Sequence, residues 1–355
     1  MKKISVCTIC KNEEHNIEKM LLSVKKYGFE IVVVDTGSSD HTKEIAFKYT
    51  EKVFDFEWKD DFSAARNYAA SLASNNWILV MDADEWIEEI DFEAVEALMS
   101  DFPDSAGSIW MNNITGTPQN PGPVSRCHLE RLYDRRKYKY ISPIHEHLAV
   151  KYPSIEFDTL LVGITLGHSG YCLDEEQKQA KAKRNIDLLN KQLLSEPNNP
   201  YIYYQLGKGY MLVDDYKNAY TYLSKGLEFD VDERLDFVHD MVISFGKTLL
   251  NLGKYEEGLG FQGIYDAFAL KADFVYLMGL FYEYNNMLQE AAEEFQKAMQ
   301  MKDYMQEGVN TYLPCLELGR ILIKCGQYCE AVGFLEPLKG IDEAEKLLDV
   351  CKENL

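Results

Sequence analysis

Asp82 and Asp84, one residue apart, close the apolar run Trp77-Ile78-Leu79-Val80-Met81 and are followed by Glu85 and Trp86. In an extended chain alternate side chains share a face, so the two carboxylates can present oxygens together, with small Ala83 letting the backbone turn between them. Hard oxygen ligands in such a pair suit Mg²⁺ or Mn²⁺, ions that leave coordination positions for water and for the phosphate oxygens of a substrate. Six of the seven histidines (15, 41, 128, 145, 147 and 168) lie in the same half of the chain as this pair.

The elements that must position these groups are read from hydrophobic runs. Ile4-Ser5-Val6-Cys7-Thr8-Ile9-Cys10 and Glu30-Ile31-Val32-Val33-Val34 read as buried strands, each followed by a polar cluster and a helical pattern. Continuous Val/Ile runs alternating with helices indicate β-α units and a parallel sheet covered on both faces. In open sheets of this kind ligands bind beyond the carboxyl ends of the strands. Cys10 to Glu13, Asp35 to Asp40 and Asp82 to Glu85 all fall there, so three polar clusters converge on one rim.

Lys11-Asn12-Glu13-Glu14, Val34-Asp35-Thr36-Gly37-Ser38-Ser39-Asp40-His41-Thr42, Asp61-Phe62-Ser63-Ala64-Ala65-Arg66-Asn67 and Asp82-Ala83-Asp84-Glu85 follow one another in order. This succession resembles the motifs of family 2 glycosyltransferases over residues 1 to about 170. The resemblance implies the GT-A fold, a Rossmann-like, mostly parallel sheet. It is nearest to a bacterial branch in which the transferase domain precedes tetratricopeptide repeats, a branch that includes peptide S-glycosyltransferases.

Residue roles follow from that resemblance. Asp35 is expected to accept from the uracil or ribose of a UDP-sugar, with Thr8, Asn12 and Glu13 lining the same pocket. Arg66 is expected to neutralise the diphosphate, for which a guanidinium fork is well shaped, and Arg131 to line the phosphates or the acceptor groove. Asp82 would sit near ribose and metal, Asp84 would be the direct ligand of Mn²⁺ or Mg²⁺, and His168 would complete that set. Glu85 supports the turn.

An inverting transfer needs a base for the acceptor proton and charge neutralisation for the leaving diphosphate. Glu146, and after it His145, are the positional matches for the base, although the family pattern offers an Asp there. An acceptor thiol would need a weaker base than a hydroxyl. The expected acceptor is a peptide or protein; the alternatives are a lipid or polysaccharide precursor, or an inactive transferase fold serving as a scaffold. A P-loop ATPase is set aside because Gly246-Lys247-Thr248 has Met241 where the first glycine belongs. An aspartyl-nucleophile phosphatase would place its motif early in the chain, with a different residue after Asp84.

The second half repeats a different pattern. Leu206-Gly207 with Ala219, Phe245-Gly246 with Gly258, Met278-Gly279 with Ala291, and Leu318-Gly319 with Ala331 each place a small residue twelve positions after the glycine. This is the tetratricopeptide pattern, whose helix pairs must stack to bury their apolar faces. The second copy is degenerate at Gly258 and Gln262 and is expected to be distorted or opened for contact. The repeats would hold an acceptor or form a homodimer. Asp174 to Leu194 reads as an amphipathic helix with Ile186, Leu189 and Leu193 on one stripe, halted by Glu196-Pro197-Asn198-Asn199-Pro200. Residues 112–125 have the composition of a loop on the acceptor side. The expected domains are therefore 1–172, a linking helix 173–197, and repeats 198–355.

Composition sets the outer limits. A chain of 355 residues can hold two cored domains, and its formal charge of −21 argues against nucleic acid and anionic membranes as partners. No apolar run is long enough to span a bilayer and no leader pattern opens the chain. Eight cysteines without zinc spacing fit free thiols and a cytoplasmic setting, and Cys7 and Cys10 lie within a strand pattern unsuited to redox work.

Overall fold

A computed structural model describes residues 3–117, 120–169 and 175–355, the side chains of 115–117, 120–125 and 175 excepted. The chain forms two compact units, Met1–Leu188 and Leu189–Leu355.

The first unit follows the β-α reading. Its elements are β1 (Ile4–Cys10), α1 (Ile17–Lys25), β2 (Glu30–Asp35), α2 (Thr42–Phe47), β3 (Val53–Asp55), α3 (Phe62–Leu72), β4 (Trp77–Val80), β5 (Glu85–Ile90) and α4 (Phe92–Asp101). They are followed by β6 (Ala106–Thr117), β7 (Asn120–Asp134), β8 (Tyr138–Ile141), β9 (His147–Val150) and β10 (Thr159–His168); α5 (Glu175–Ser195) begins in this unit and ends in the next. Eight strands form one sheet in the order β3-β2-β1-β4-β7-β6-β10-β5, and β8 and β9 form a separate hairpin. The block β3-β2-β1-β4 is parallel, and β10 runs parallel to β6; β7 is antiparallel to β4 and β6, and β5 to β10.

Strand alternation explains the two-sided core. Val6, Ile31, Val33 and Leu79 point to one face, against Met20, Leu21 and Val24 of α1 and Val95 and Leu98 of α4. Cys7, Val32, Val34, Ile78 and Val80 point to the other, against Ala69 and Ala70 of α3, Ala73 just after it, and the tyrosines Tyr133, Tyr138 and Tyr140. The alanines of α3 let it approach the sheet closely, and Asp61 caps it by accepting from Ala64 N at 2.9 Å.

One expectation is corrected. Of residues 112–125, expected as a loop, 112–117 and 120–125 lie in the paired strands β6 and β7, with Asn112 opposite Arg126 and Ile114 opposite Val124, and 118 and 119 lie outside the described residues. Pro121 and Pro123 suggested a loop because proline cannot donate to a ladder. Among the described residues, however, β4 pairs with β7 only at Leu132 to Asp134, so this stretch of β7 has a free side on which a missing N–H breaks nothing.

The second unit is an array of helix pairs: α6 (Pro200–Met211) with α7 (Tyr216–Leu227), α8 (Asp236–Asn251) with α9 (Tyr255–Gly258) and α10 (Tyr265–Phe268), α11 (Ala272–Tyr284) with α12 (Leu288–Gln300), and α13 (Tyr312–Lys324) with α14 (Tyr328–Leu335). A last helix, α15 (Asp342–Asn354), follows. In three pairs the motif glycine of the first helix receives a large side chain of the second. A Cβ on Gly207 would lie 2.3 Å from Leu223, one on Gly279 2.6 Å from Phe295, and one on Gly319 2.7 Å from Leu335. The corresponding position of the second pair is Gln262, which is exposed, and Gly246 instead meets Leu277 of the next pair. There the second arm breaks into α9, a 3₁₀ stretch Leu259–Ile264 and α10. Gly258, Gly260 and Gly263 lower helix propensity there, and the buried Phe261 and Phe268 anchor the broken arm to the core in place of position 262. Most of the tyrosines of the first pair are packing groups: Tyr203 and Tyr204 are buried, and Tyr210 stacks on Tyr222 with centroids 5.3 Å apart.

Candidate active site at the strand ends

The loops after β1 and β2 are stitched to each other. Asn12, in the left-handed region at φ 57°, accepts from Ser39 N at 2.8 Å and donates its own N–H to Ser38 Oγ at 2.9 Å. Glu13 N donates to Thr42 Oγ1 at 2.7 Å, and Glu14 N to Asp40 Oδ2 at 3.1 Å. Asp35 is buried, with Oδ1 accepting from Gly37 N at 2.9 Å and Ser38 N at 2.8 Å; Gly37, at φ 107°, takes a conformation that favours glycine. Its Oδ2 has Cys10 Sγ as a distant neighbour at 3.9 Å. Thr8 is buried in β1, with a long 3.4 Å contact to Ile9 O. Burial, and then the nearby Asp84, Asp82 and Asp40, push the Glu13 carboxyl up, against a hydrogen bond from Asn16.

Beyond β4 the chain turns so that Glu85 N donates to Asp82 O at 3.1 Å, while Glu85 Oε2 accepts from Asp82 N at 2.8 Å. Glu85 thus supports the turn, as the sequence suggests. It is also fully buried and receives Arg131 Nη2 at 3.2 Å, and its carboxyl is raised by burial and by Asp82 and Asp84, with Arg131 opposing.

The two carboxylates of the Asp-x-Asp pair have different surroundings. Asp82 Oδ1 meets Arg66 Nη2 at 2.8 Å, and Asp82 Oδ2 meets Arg131 Nη2 at 3.1 Å. Burial works against its ionisation, but the two guanidinium groups prevail and hold it well below the usual carboxylate range. Both oxygens of Asp82 are therefore engaged by cations, which is a different arrangement from the metal-ligating one expected for it. Asp84 faces an imidazole instead: its Oδ2 lies 3.4 Å from His168 Nε2. Ser169 holds the Asp84 backbone, donating N–H and hydroxyl to its carbonyl, each at 3.2 Å.

His168 is oriented from behind. Its Nδ1 lies 2.7 Å from Asn113 Oδ1, and the Asn113 amide nitrogen is 3.3 Å from Cys127 Sγ. An amide oxygen can only accept, so Nδ1 carries a proton; burial opposes charge on the ring, but the Asp84 hydrogen bond and the nearby carboxylates outweigh it and raise the imidazole above its ordinary value. Sheet register makes this arrangement: Asn113 pairs with His168, and His168 with Glu85, across β6, β10 and β5. Sequence reading missed Asn113 because it fell within the stretch read as a loop. Its position two residues after buried Met111, on the same strand face, was the available signal.

Arg66 is the centre of the cationic side. Its side chain is 6% exposed; Nε donates to Glu146 Oε1 at 2.7 Å, and the guanidinium lies 5.5 Å from the Tyr140 ring centroid. Nη1 is buried and has no hydrogen-bond partner among the described residues. Glu146 and His145 both belong to the tip of the β8–β9 hairpin, where Ser142 (φ 75°) and His145 (φ 52°) occupy the left-handed region. Of the other arginines, Arg135 donates to the Ala70 and Ser71 carbonyls at the end of α3, and exposed Arg136 pairs with buried Asp134. The thiols of Cys7 and Cys10 are buried and pushed up by that burial, which makes them inert.

The carboxylate–imidazole pair and the guanidinium groups of buried Arg66 and part-buried Arg131 gather around the carboxyl end of β4, the edge at which open α/β sheets bind ligands. Residues 5–152 match the Glycosyl transferase family 2 model, and the first unit is a domain of that family, followed by tetratricopeptide repeats. The chain is similar to a TPR repeat-containing protein of Synechococcus elongatus, 32% identical over 237 residues that cover 64% of this chain and 57% of that one. It is also similar to the SPbeta prophage-derived glycosyltransferase SunS of Bacillus subtilis, 30% identical over 224 residues covering 61% and 51%. A third relative is an uncharacterized glycosyltransferase of Rickettsia prowazekii, 28% identical over 218 residues covering 55% and 74%. The chain thus spans a little over half the length of the first two relatives.

Proposed function

We propose that the protein transfers a glycosyl group from a nucleoside diphosphate sugar, a UDP-sugar in the first instance, to a peptide or protein. The observation that carries this reading is the Asp84–His168 pair beside buried Arg66 and its unpartnered N–H. Asp84 and His168 fit Mn²⁺ or Mg²⁺. Among the described residues no three or more acidic, histidine or cysteine side chains are placed to hold a metal ion together, so diphosphate oxygens and water would complete the coordination. A bound ion supplies Lewis-acid neutralisation of the leaving diphosphate.

The remaining work falls to side chains. Asp35 accepts from the base or ribose through Oδ2, with Asn12, Glu13 and Thr8 shaping that side. Arg66 and Arg131 balance phosphate charge, and Asp82 holds both guanidinium groups in place. The acceptor O–H or S–H attacks the anomeric carbon as the bond from that carbon to the phosphate oxygen breaks. The acceptor proton passes to Glu146, with His145 beside it, and nucleoside diphosphate leaves. The repeats suit a peptide acceptor because stacked helix pairs present an extended groove. No helix among the described residues is long and apolar enough to cross a membrane.

The test is calorimetric titration with UDP, with and without Mn²⁺, on the wild type and on Asp84→Ala. Metal-dependent binding that the variant loses is the expected result. No binding of UDP, GDP or dTDP by the wild type would refute the donor site.

A further inference from the structure

Arg66 is poorly placed to be a finished structural cation. One nitrogen meets Asp82, one meets Glu146, and the third, Nη1, is buried without a partner among the described residues. A buried N–H left unpaired is costly, and each such exception calls for a reason, a missing partner among them. The carboxylate on Nε arrives by an unusual route. Asn67 fixes the start of the β8–β9 hairpin, donating to Tyr140 O at 2.8 Å and accepting from Tyr140 N at 3.0 Å, and Ile141 pairs with His147 across the ladder. Residues 142–146 form the tip between these anchors. Two of them, Ser142 and His145, are non-glycine residues with positive φ, a conformation held at a cost in backbone strain. The tip is tied to α3 through Pro143 O, which accepts from Phe62 N at 2.8 Å. Glu146, only 13% exposed, is thus pressed onto Arg66 by a strained tip whose two ends are fixed.

We propose that Glu146 is a resident anion that occupies Arg66 until a diphosphate arrives, and that the diphosphate, taking Nη1, displaces it. The idea rests on the donor-site reading above and deepens it: release of Glu146 from the guanidinium frees a carboxylate to accept the acceptor proton only once donor is bound. The hairpin tip supplies the movement, because leaving the left-handed region relieves strain at Ser142 and His145. Diphosphate and Glu146 then compete for one cation, so each weakens the other.

The test measures affinity and needs no turnover. Inorganic diphosphate and UDP are titrated calorimetrically, with Mn²⁺, into wild type, Glu146→Gln and Glu146→Asp, after thermal unfolding has verified that each is folded. Gln keeps the shape and an acceptor but loses the charge; Asp keeps the charge but draws it back from Nε. Both variants are expected to bind diphosphate more tightly, Glu146→Gln by about ten- to a hundredfold, the change expected when one charge-assisted hydrogen bond no longer competes. Unchanged or weaker binding in both would show that Glu146 is a fixed support of Arg66 and would overturn the proposal while leaving the donor site standing. Tighter binding of inorganic diphosphate with none of UDP would retain the displacement and refute the nucleotide. No binding of either ligand by any form would refute both.

Discussion

The two carboxylates of the Asp-x-Asp pair should separate cleanly when each is removed. Asp82→Ala leaves Arg66 Nη2 without its partner at 2.8 Å and takes one of two carboxylates from Arg131, Arg66 being buried and Arg131 part-buried. Removing one member of a buried ion pair costs about 3–5 kcal/mol. Arg66 keeps Glu146 and Arg131 keeps Glu85, so the lower end, about 3 kcal/mol, is expected. For a unit the size of Met1–Leu188, that loss lowers Tm by about 6–12 °C. Asp84 has one imidazole neighbour at 3.4 Å where Asp82 has two guanidinium contacts, so Asp84→Ala should cost under about 1 kcal/mol. Metal response should run the other way. Mn²⁺ at about a hundred times its Kd raises wild-type stability by about 2.7 kcal/mol, and this gain should vanish in Asp84→Ala but persist, from a lower baseline, in Asp82→Ala. Thermal and urea unfolding with and without Mn²⁺ measure both. Equal losses of stability in the two variants, or a metal response surviving Asp84→Ala, would refute the division of roles.

Two further outcomes follow from packing and charge. Gly279→Ala drives a Cβ to 2.6 Å from buried Phe295 and should destabilise the repeat unit by about 1–3 kcal/mol, while Gly333→Ala, on α14 with open space around it, should stabilise by about 0.5–1 kcal/mol; urea midpoints of the two variants test the contrast. Glu30 feels burial opposing its charge, but hydrogen bonds from Lys52, Ser5 and Ser74 outweigh it and hold the carboxyl at about 2. A depressed folded value means stability that is present above the unfolded value near 4.5 and is lost as pH falls through about 2. Glu30→Gln should therefore flatten the acid limb across that window and cost roughly 1 kcal/mol above pH 5, discounted for screening; an unchanged limb in stability-versus-pH curves would contradict it.

What could be read from the chain follows the range of the interactions. Strands β1, β2 and β4 were visible because each buries a continuous apolar run, and the polar clusters beyond them had to share a rim once the strands were parallel. The repeat glycines were visible because a helix pair imposes fixed spacing, and the broken second pair was foreshadowed by Gln262 in place of an apolar anchor. The partners of Asp82 were not visible. Arg131 reaches it only because β7 inserts antiparallel beside β4, and Arg66 meets Glu146 only because a separate hairpin folds over α3. Asn113 was hidden by Gly and Pro residues that mark loops elsewhere but are tolerated on the open side of β7. Local pattern identified the acidic motif, while sheet order decided which of its members meets a cation.

Charge balance explains why these roles would depend on one another. A diphosphate entering this site approaches a chain of net charge −21 and a rim that holds Asp82, Asp84, Glu85 and Glu146 against Arg66 and Arg131. Low local dielectric magnifies each of these interactions, the repulsive ones included. Two guanidinium groups already matched by carboxylates cannot by themselves hold a further dianion. Two changes would reverse the sign: a divalent ion at Asp84 and His168, and departure of Glu146 from Arg66. On the proposed reading neither suffices alone, so metal affinity should rise with diphosphate present and diphosphate affinity with metal present, by the same factor. Glu146→Gln should shrink the metal's effect on diphosphate affinity, because part of the repulsion that the metal offsets has already been removed. Titrating Mn²⁺ at several fixed diphosphate concentrations, in both forms, measures that factor directly. An identical factor in the two would mean that the Glu146 charge does not enter the balance.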